Sequence, residues 1–195
     1  MSNKLIVLEG LDGSGKSTLA VRLSNALGFR LLREPGSTTV GEKIRDILLD
    51  DKPTPKTEAL LFAAARNQLV HHKLLPYLAK DSVILDRYWP SSIAYQAYGL
   101  GLGESWIKEI NATYALPNPD IVFVIDPLYD SRQLIDEPDE IEHRNRAYYD
   151  RVSYYYRHMK QLEPDLNVKT IGVYNNQKSR DKALKTIIKE VKEIE

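Results

Sequence analysis

The sequence has no cysteine among its 195 residues, which excludes disulfide bonds, thiolate metal sites and a cysteine nucleophile. It also lacks an excess of either charge, since 27 Lys and Arg side chains are balanced by 27 Asp and Glu. Proteins that bind nucleic acids or anionic membranes usually carry a basic surplus or a basic tail, so we expect neither partner. Any bound anion must therefore meet positive charge that is concentrated locally.

Long hydrophobic runs are absent too, and none approaches the roughly 20 residues that a membrane-spanning helix needs. The first residues also lack the charged and then apolar pattern of a secretion signal, so the sequence predicts a cytoplasmic location. The four histidines have no second ligand at metal-binding spacing, and we interpret them as surface or interface residues.

Short apolar runs alternate with helical patterns along the whole chain. Strands are predicted at residues 5–8, 31–32, 83–85, 121–125 and 168–173. Helices are predicted at residues 15–27, 41–49, 57–79, 90–98, 105–114 and 179–194, the third of them bent or broken near Pro76. This alternation predicts an α/β fold with a largely parallel sheet and helices on both faces. The chain length predicts one domain, residues 1–195.

The strongest motif is the segment 10–17, GLDGSGKS, which matches the phosphate-binding pattern G-x-x-x-x-G-K-[ST]. A strand is predicted before it and a helix after it, as this motif requires. The glycines allow backbone N–H groups to converge on phosphate oxygens, and the helix adds its positive end. Lys16 is expected to reach the β- and γ-phosphates and Ser17 to coordinate magnesium. The motif predicts binding of a nucleoside triphosphate, ATP with Mg²⁺.

Charged residues follow the second and third predicted strands, at the sheet edge where open α/β proteins bind ligands. Arg33 is placed to meet a second anion. Asp86 can organise magnesium, and Arg87 can hold a phosphate through two hydrogen bonds. The alternative for each is structural: a surface salt bridge for Arg33 and a buried ion pair that closes the strand end for Arg87.

Phe62 and Arg66 are four residues apart on a predicted helix and therefore share one face. The ring can stack on a base, and the guanidinium can donate to the position-4 carbonyl that thymine and uracil carry and cytosine lacks. Taken alone, an aromatic residue at helical spacing is more often part of the core.

Together these segments resemble the thymidylate kinase family. The resemblance is carried by residues 9–18 (EGLDGSGKST), 33–36 (REPG), 60–66 (LLFAAAR, usually LLFAADR in the family), 86–96 (DRYWPSSIAYQ) and 119–120 (PD). They occur in the family's order and near its spacing.

The resemblance implies a P-loop NTPase fold, a three-layer α/β/α structure with a five-stranded parallel sheet and a short helical lid at about 130–147. It implies phosphorylation of dTMP to dTDP by ATP and Mg²⁺, in a homodimer. Donor-nucleotide binding is implied for Gly10, Leu11, Asp12, Gly13, Ser14, Gly15, Lys16, Ser17 and Thr18. Substrate binding is implied for Arg33, Phe62, Arg66, Arg87, Ser91, Ser92, Tyr95 and Gln96. Within that set, Phe62 stacks on thymine, Arg66 donates to its O4, and Tyr95 disfavours a 2′-hydroxyl.

The lid segment departs from the family, because it is short and largely acidic where relatives with such a P-loop usually carry several arginines. We expect Arg132 or Arg146 to stabilise the transferred phosphoryl group, together with Lys16 and Arg87. The resemblance places Asp12, the remaining catalytic candidate, near the 3′-hydroxyl of the acceptor and the magnesium site. Metal binding is expected for Ser17, Asp86 and Glu142. The tyrosines at 148, 149 and 154–156 are interpreted as packing residues.

Two other functions remain open at this point. One is a related kinase that accepts dUMP or several deoxynucleoside monophosphates. The other is a non-catalytic P-loop protein that binds nucleotide as a signal.

Overall fold

The computed structural model describes residues 3–112, 116–130 and 144–194. Its strands are β1 (Leu5–Glu9), β2 (Arg30–Arg33), β3 (Val83–Asp86), β4 (Ile121–Pro127) and β5 (Val168–Val173). Its α-helices are α1 (Lys16–Leu27), α2 (Thr39–Asp50), α3 (Pro55–Leu69), α4 (Leu75–Leu78), α5 (Trp89–Ser92), α6 (Glu104–Asn111), α7 (Arg146–Leu162) and α8 (Gln177–Glu193). Two π-helical segments, Val70–Leu74 and Ile93–Gly99, join α3 to α4 and extend α5.

The five strands form one parallel sheet in the order β2-β3-β1-β4-β5. Along β1, Leu5 and Val7 pack into one core, and Ile6 and Leu8 pack into a second core on the other face. Alternate residues of a strand point to opposite faces, so a strand with helices on both sides is apolar throughout. The predicted three-layer α/β/α architecture is confirmed.

The strand order places the carboxyl end of β1 between the ends of β3 and β4, with Leu8 opposite Asp86 in the register. The chain leaves β1 toward β2 on one side, whereas β4 lies on the other side. Such a reversal opens a crevice at the carboxyl ends of the strands, and ligands bind there in this class of fold. The segments after β1, β2 and β3 therefore meet at one edge.

The predicted long helix 57–79 is interrupted earlier than expected. It changes to π-helix at Val70, ahead of Pro76, and the N–H of Leu75 bonds to the carbonyl of Val70. Pro76 has no N–H and its ring crowds the preceding turn, so a widened turn just before it accommodates the proline.

The second π-helical segment was not predicted, and it carries Tyr95 and Gln96. Gly99 at its end lies against Tyr148 of α7, where a Cβ would overlap the ring. Within the described ranges, no helix has the length and apolar character to cross a membrane.

Candidate active site at the carboxyl edge of the sheet

The loop between β1 and α1 is shaped by glycines. Gly10, Gly13 and Gly15 have φ values of 141°, 70° and 83°, in the region that side chains disfavour. A Cβ on Gly10 would also overlap the carbonyl oxygen of Ile125 in β4. Gly15 precedes α1 with no side chain capping the helix, so the first N–H groups of α1 are available to an anion.

Lys16 is buried beside this loop. Its Nζ lies 3.5 Å from the carbonyl oxygen of Leu11 and 3.7 Å from Asp12 Oδ1. Burial lowers the pKa of Lys16, and the neighbouring Arg87 lowers it further, although Asp12 acts in the opposite direction. A bound phosphate would favour the charged form of Lys16, since it places negative charge beside two neighbouring cations.

Arg87 connects the loop to the rest of the site. Its Nη2 donates to Asp12 and, at 3.1 Å, to the hydroxyl of Tyr95, while Nη1 donates to Ser91 Oγ at 3.1 Å and to the hydroxyl of Tyr156 at 3.4 Å. The backbone of Arg87 has a φ of 67°, which is uncommon for a side chain of this size. This strained position directly after β3 directs the guanidinium toward the P-loop.

Asp12 accepts the hydrogen bond from Arg87 Nη2 through its Oδ1. Burial raises the pKa of its carboxyl, but Arg87 and Lys16 outweigh that effect, and the net shift is downward. Asp12 Oδ2 also accepts from the Tyr95 hydroxyl at 2.8 Å. A carboxylate is thus held in the charged state between the donor loop and Tyr95.

Glu9 was missed by the sequence reasoning, although it supports the same network. It is fully buried at the end of β1, accepts from the N–H of Tyr88 at 2.8 Å, and accepts from Ser91 and Tyr156 hydroxyls at 2.6 and 2.9 Å. Burial raises the pKa of Glu9, with Arg87 opposing it. The available signal was a charged residue that directly continues an apolar strand into the loop.

A cavity of about 200 Å³ opens beside these groups. Its lining joins the P-loop to the segments after β2 and β3 and to α3. The lining residues are Asp12, Lys16, Ser17, Arg33, Glu34, Pro35, Arg45, Leu49, Phe62, Asp86, Arg87, Ser91, Ser92, Tyr95 and Gln96. A phosphate-binding loop therefore faces a pocket that contains an aromatic ring, hydroxyl groups and arginines.

The family model described as thymidylate kinase matches residues 8–179. The chain belongs to the thymidylate kinase family. Among relatives named thymidylate kinase, that of Caldanaerobacter subterraneus is 48% identical over 65% of this chain and 65% of its own length. The Pelodictyon phaeoclathratiforme relative is 46% identical over 63% of this chain, and the match spans 60% of that relative.

Longer matches come from two other members of the family. The Lactobacillus helveticus thymidylate kinase is 37% identical over 85% of this chain and 86% of its own length. The crystal structure of thymidylate kinase from Ehrlichia chaffeensis superposes with a TM-score of 0.82 and 29% identity, covering 98% of this chain and 100% of that one.

Most substrate residues expected from the thymidylate kinase resemblance do meet at the cavity. Arg33 is half exposed at its rim, where its Nη2 pairs with Glu42 Oε2 at 2.6 Å. Phe62, Ser92 and Gln96 lie in the wall. What each of them binds stays a prediction, because proximity to a cavity does not identify its ligand.

Arg66 has a different environment from the one its predicted role requires. It is 1% exposed, and it does not contribute to the cavity lining. Its donors go to Glu34 Oε2 at 2.7 Å, Ser92 Oγ at 3.0 Å, the carbonyl of Tyr88 at 3.2 Å and Asn111. Reading thymine O4 would require Arg66 to exchange one of these partners, so that role remains a prediction.

Two predicted magnesium ligands lie at the cavity, Ser17 and Asp86. Asp86 Oδ1 is buried and has no hydrogen-bond partner among the described residues, as expected for an oxygen reserved for a cation. The described residues contain no group of three or more His, Cys, Asp or Glu side chains that could hold a metal ion by themselves. This donor set suits Mg²⁺, which typically takes one or two protein oxygens plus waters and substrate phosphates.

The predicted roles of the lid residues Arg132, Glu142 and Arg146 are not tested by the structure. Arg132 and Glu142 lie outside the described residues. Arg146 lies in the first turn of α7 with its side chain 83% exposed, 3.9 Å from Asp150 and outside the cavity lining. Its predicted catalytic role is therefore untested.

The sequence predicted that the tyrosines of α7 are packing residues, and this holds for only some of them. Tyr148, Tyr149, Tyr155 and Tyr156 are buried, but Tyr154 is 51% exposed and stacks on His158. The hydroxyl of Tyr156 also joins the site through Arg87, Ser91 and Glu9. The sequence suggested that these residues pack, but it could not show that one hydroxyl lies beside Arg87.

Proposed function

We propose that the protein transfers the γ-phosphoryl group of ATP to dTMP and releases dTDP and ADP. The observation that carries this is the shared cavity, in which Lys16 and Ser17 of the P-loop face Arg87, Arg33 and Phe62. One side of the cavity suits a triphosphate, and the other suits a nucleoside monophosphate. The matched relatives named thymidylate kinase support the same reaction.

The triphosphate lies along the loop, bound by its N–H groups and by the first turn of α1. Lys16 contacts the β- and γ-phosphates. Mg²⁺, held by Ser17 and Asp86, neutralises charge on the phosphates when it is bound. On the acceptor side, Arg87 and Arg33 hold the dTMP phosphate, and Phe62 stacks on the base.

The reaction forms a bond from an acceptor phosphate oxygen to the γ-phosphorus and breaks the bond from that phosphorus to the ADP oxygen. The acceptor oxygen is already ionised near neutral pH, so no strong general base is needed. Catalysis then consists of positioning and charge stabilisation. Arg87 is suited to both, because it lies between Asp12 and the acceptor cavity with its guanidinium fixed by four oxygens.

A coupled assay of ADP release with dTMP, dUMP, dCMP and dGMP tests the proposal. We expect dTMP to give the highest kcat/KM, and Lys16→Met to abolish acceptor-dependent turnover. Lys4→Met removes a lysine that pairs with Asp120 at 3.4 Å and is not among the cavity residues, so it should retain activity. If the protein forms no more ADP with dTMP present than in a sample without an acceptor, the proposal is wrong.

We further propose a cytoplasmic homodimer that associates through α2 and α3. Val40, Ile47 and Leu60 expose 46%, 42% and 51% of their surface on these two helices, which pack against each other. Exposed apolar side chains on a pair of packed helices are candidates for burial in an interface. Light scattering after gel filtration should give twice the monomer mass, and Leu60→Glu should shift it toward the monomer. A monomeric wild type would contradict this assembly.

A further inference from the structure

Glu58 is a buried carboxylate just behind the base side of the cavity. It lies on α3, one turn before Phe62, and is 1% exposed. Its Oε1 accepts from Gln96 Nε2 at 2.9 Å and from Arg144 Nη1 at 3.3 Å, and its Oε2 accepts from Arg144 Nη2. Glu58 does not itself line the cavity, whereas Gln96 does.

The contacts of Glu58 determine which end of the Gln96 amide faces it. A carboxylate paired with arginine only accepts hydrogen bonds, so the amide must present its NH₂ group to Glu58. Arg144 is held in turn by Tyr148, whose hydroxyl accepts from Nη1 at 2.7 Å and whose ring lies 4.7 Å from the guanidinium carbon.

The carbonyl end of the Gln96 amide is left for the cavity. Gln96 is 2% exposed, and its Oε1 accepts no hydrogen bond from any residue that the structure describes. The wall that contains Phe62 therefore offers a fixed acceptor and no amide donor at this point. Thymine and uracil carry a hydrogen on N3, whereas N3 of cytosine is itself an acceptor.

We propose that Glu58 is a positioning residue that locks the Gln96 amide with its oxygen toward the base, so that the cavity favours pyrimidines with an N3–H group and rejects cytosine. This inference rests on the proposed function and names a source of its substrate selectivity. Rejection follows because cytosine would bring its N3 lone pair against Oε1 and leave both acceptors unpaired. Selectivity of this kind depends on an unfavourable contact with the wrong ligand as much as on a good contact with the right one.

Glu58→Gln tests the inference at constant side-chain size. Arg144 makes its shorter contact to the Oε2 position, so the carbonyl of the new amide should face Arg144 and its NH₂ group should face Gln96. Gln96 must then accept from residue 58, and its own NH₂ group turns toward the cavity. We expect kcat/KM to fall at least tenfold with dTMP and to rise with dCMP. If the substitution only disturbed packing around the base pocket, kcat/KM would fall with both substrates.

The matched control is Glu109→Gln, an exposed glutamate on α6, which should keep the wild-type ratio of kcat/KM for dTMP over dCMP. If Glu58→Gln also keeps that ratio, the inference is wrong. Gln96→Met supplies a second test should the first variant fold poorly, because it removes the acceptor at similar volume. We expect it to lower kcat/KM with dTMP at least tenfold and not to lower it with dCMP, because the oxygen that opposes cytosine N3 is gone; an equal loss with both would overturn the inference.

These outcomes are separable from failure of the proposed function. If the wild type does not phosphorylate dTMP, both proposals fall. If the wild type is active and selective but the Glu58 and Gln96 variants retain its selectivity, only the positioning role of Glu58 falls.

Discussion

Arg87→Lys provides the sharpest test of how charge is organised in this site. The arginine uses two nitrogens to reach four oxygens, those of Asp12, Tyr95, Ser91 and Tyr156. Lysine keeps the positive charge, but it has a single nitrogen and a shorter side chain. It therefore cannot reach all four oxygens or bind a phosphate through two hydrogen bonds from different nitrogens.

The expected loss follows from the two hydrogen bonds that the guanidinium is proposed to donate to the dTMP phosphate. A hydrogen bond to a charged group contributes about 1.5–3 kcal/mol, and lysine, with its shorter reach, would lose both. At the lower limit this is about 3 kcal/mol, which corresponds to a decrease of roughly a hundredfold in kcat/KM for dTMP. Steady-state kinetics with varied dTMP at saturating ATP measures this quantity.

The matched control is Arg30→Lys. Arg30 begins β2, at the end of the sheet away from the cavity, and pairs with Asp81 at 3.0 Å with 56% of its side chain exposed. Exchange of a solvent-exposed ion pair has little effect on stability or activity. If Arg87→Lys stays within threefold of the wild type, then the site requires only a positive charge at this position, and two-point binding of the phosphate by Arg87 is excluded.

Three further predictions concern other parts of the site. Phe62→Ala should raise KM for dTMP about tenfold and leave KM for ATP unchanged, since base–aromatic stacking contributes about 1–3 kcal/mol; equal changes in both would contradict stacking. Asp86→Asn should raise the half-saturating Mg²⁺ concentration at least tenfold, and an unchanged titration would exclude Asp86 from metal binding. Burial raises the pKa of Glu34 to about 7, with Arg66 opposing it, so the folded state retains a proton that the unfolded chain releases near 4.5. Stability should therefore fall as pH rises from about 4.5 to 7, and the Tm of Glu34→Gln, measured against the wild type at pH 5 and 8, should lack this decrease.

The sheet and the P-loop could be predicted because their determinants are local. An apolar run ending in glycine, followed by Lys16 and a helical pattern, encodes β1, the loop and α1 with little help from the rest of the chain. Placement of Arg87 followed from the rule that parallel strands end at one edge. The four-residue spacing likewise placed Phe62 and Arg66 on one face of a helix, although only Phe62 lines the cavity.

Contacts made across the fold could not be predicted in the same way. The carboxylate of Glu58 meets Arg144 86 positions later, and nothing in either local pattern specifies that pairing. Arg66 shows the same limit, because its partners lie on three other segments, and periodicity could not show that Glu34 would occupy its donors. Side chains that act by holding other side chains leave only a weak trace in sequence.

Isotope transfer shows whether phosphate moves from ATP to dTMP within this cavity. ATP labelled in its γ-phosphate is incubated with dTMP and the purified protein, with Lys16→Met as a parallel sample. We predict that the label appears in the β-phosphate of dTDP with the wild type and not with the variant. Label that appears only in inorganic phosphate, or that leaves ATP at the same rate without dTMP, would show that the protein does not transfer phosphate to dTMP.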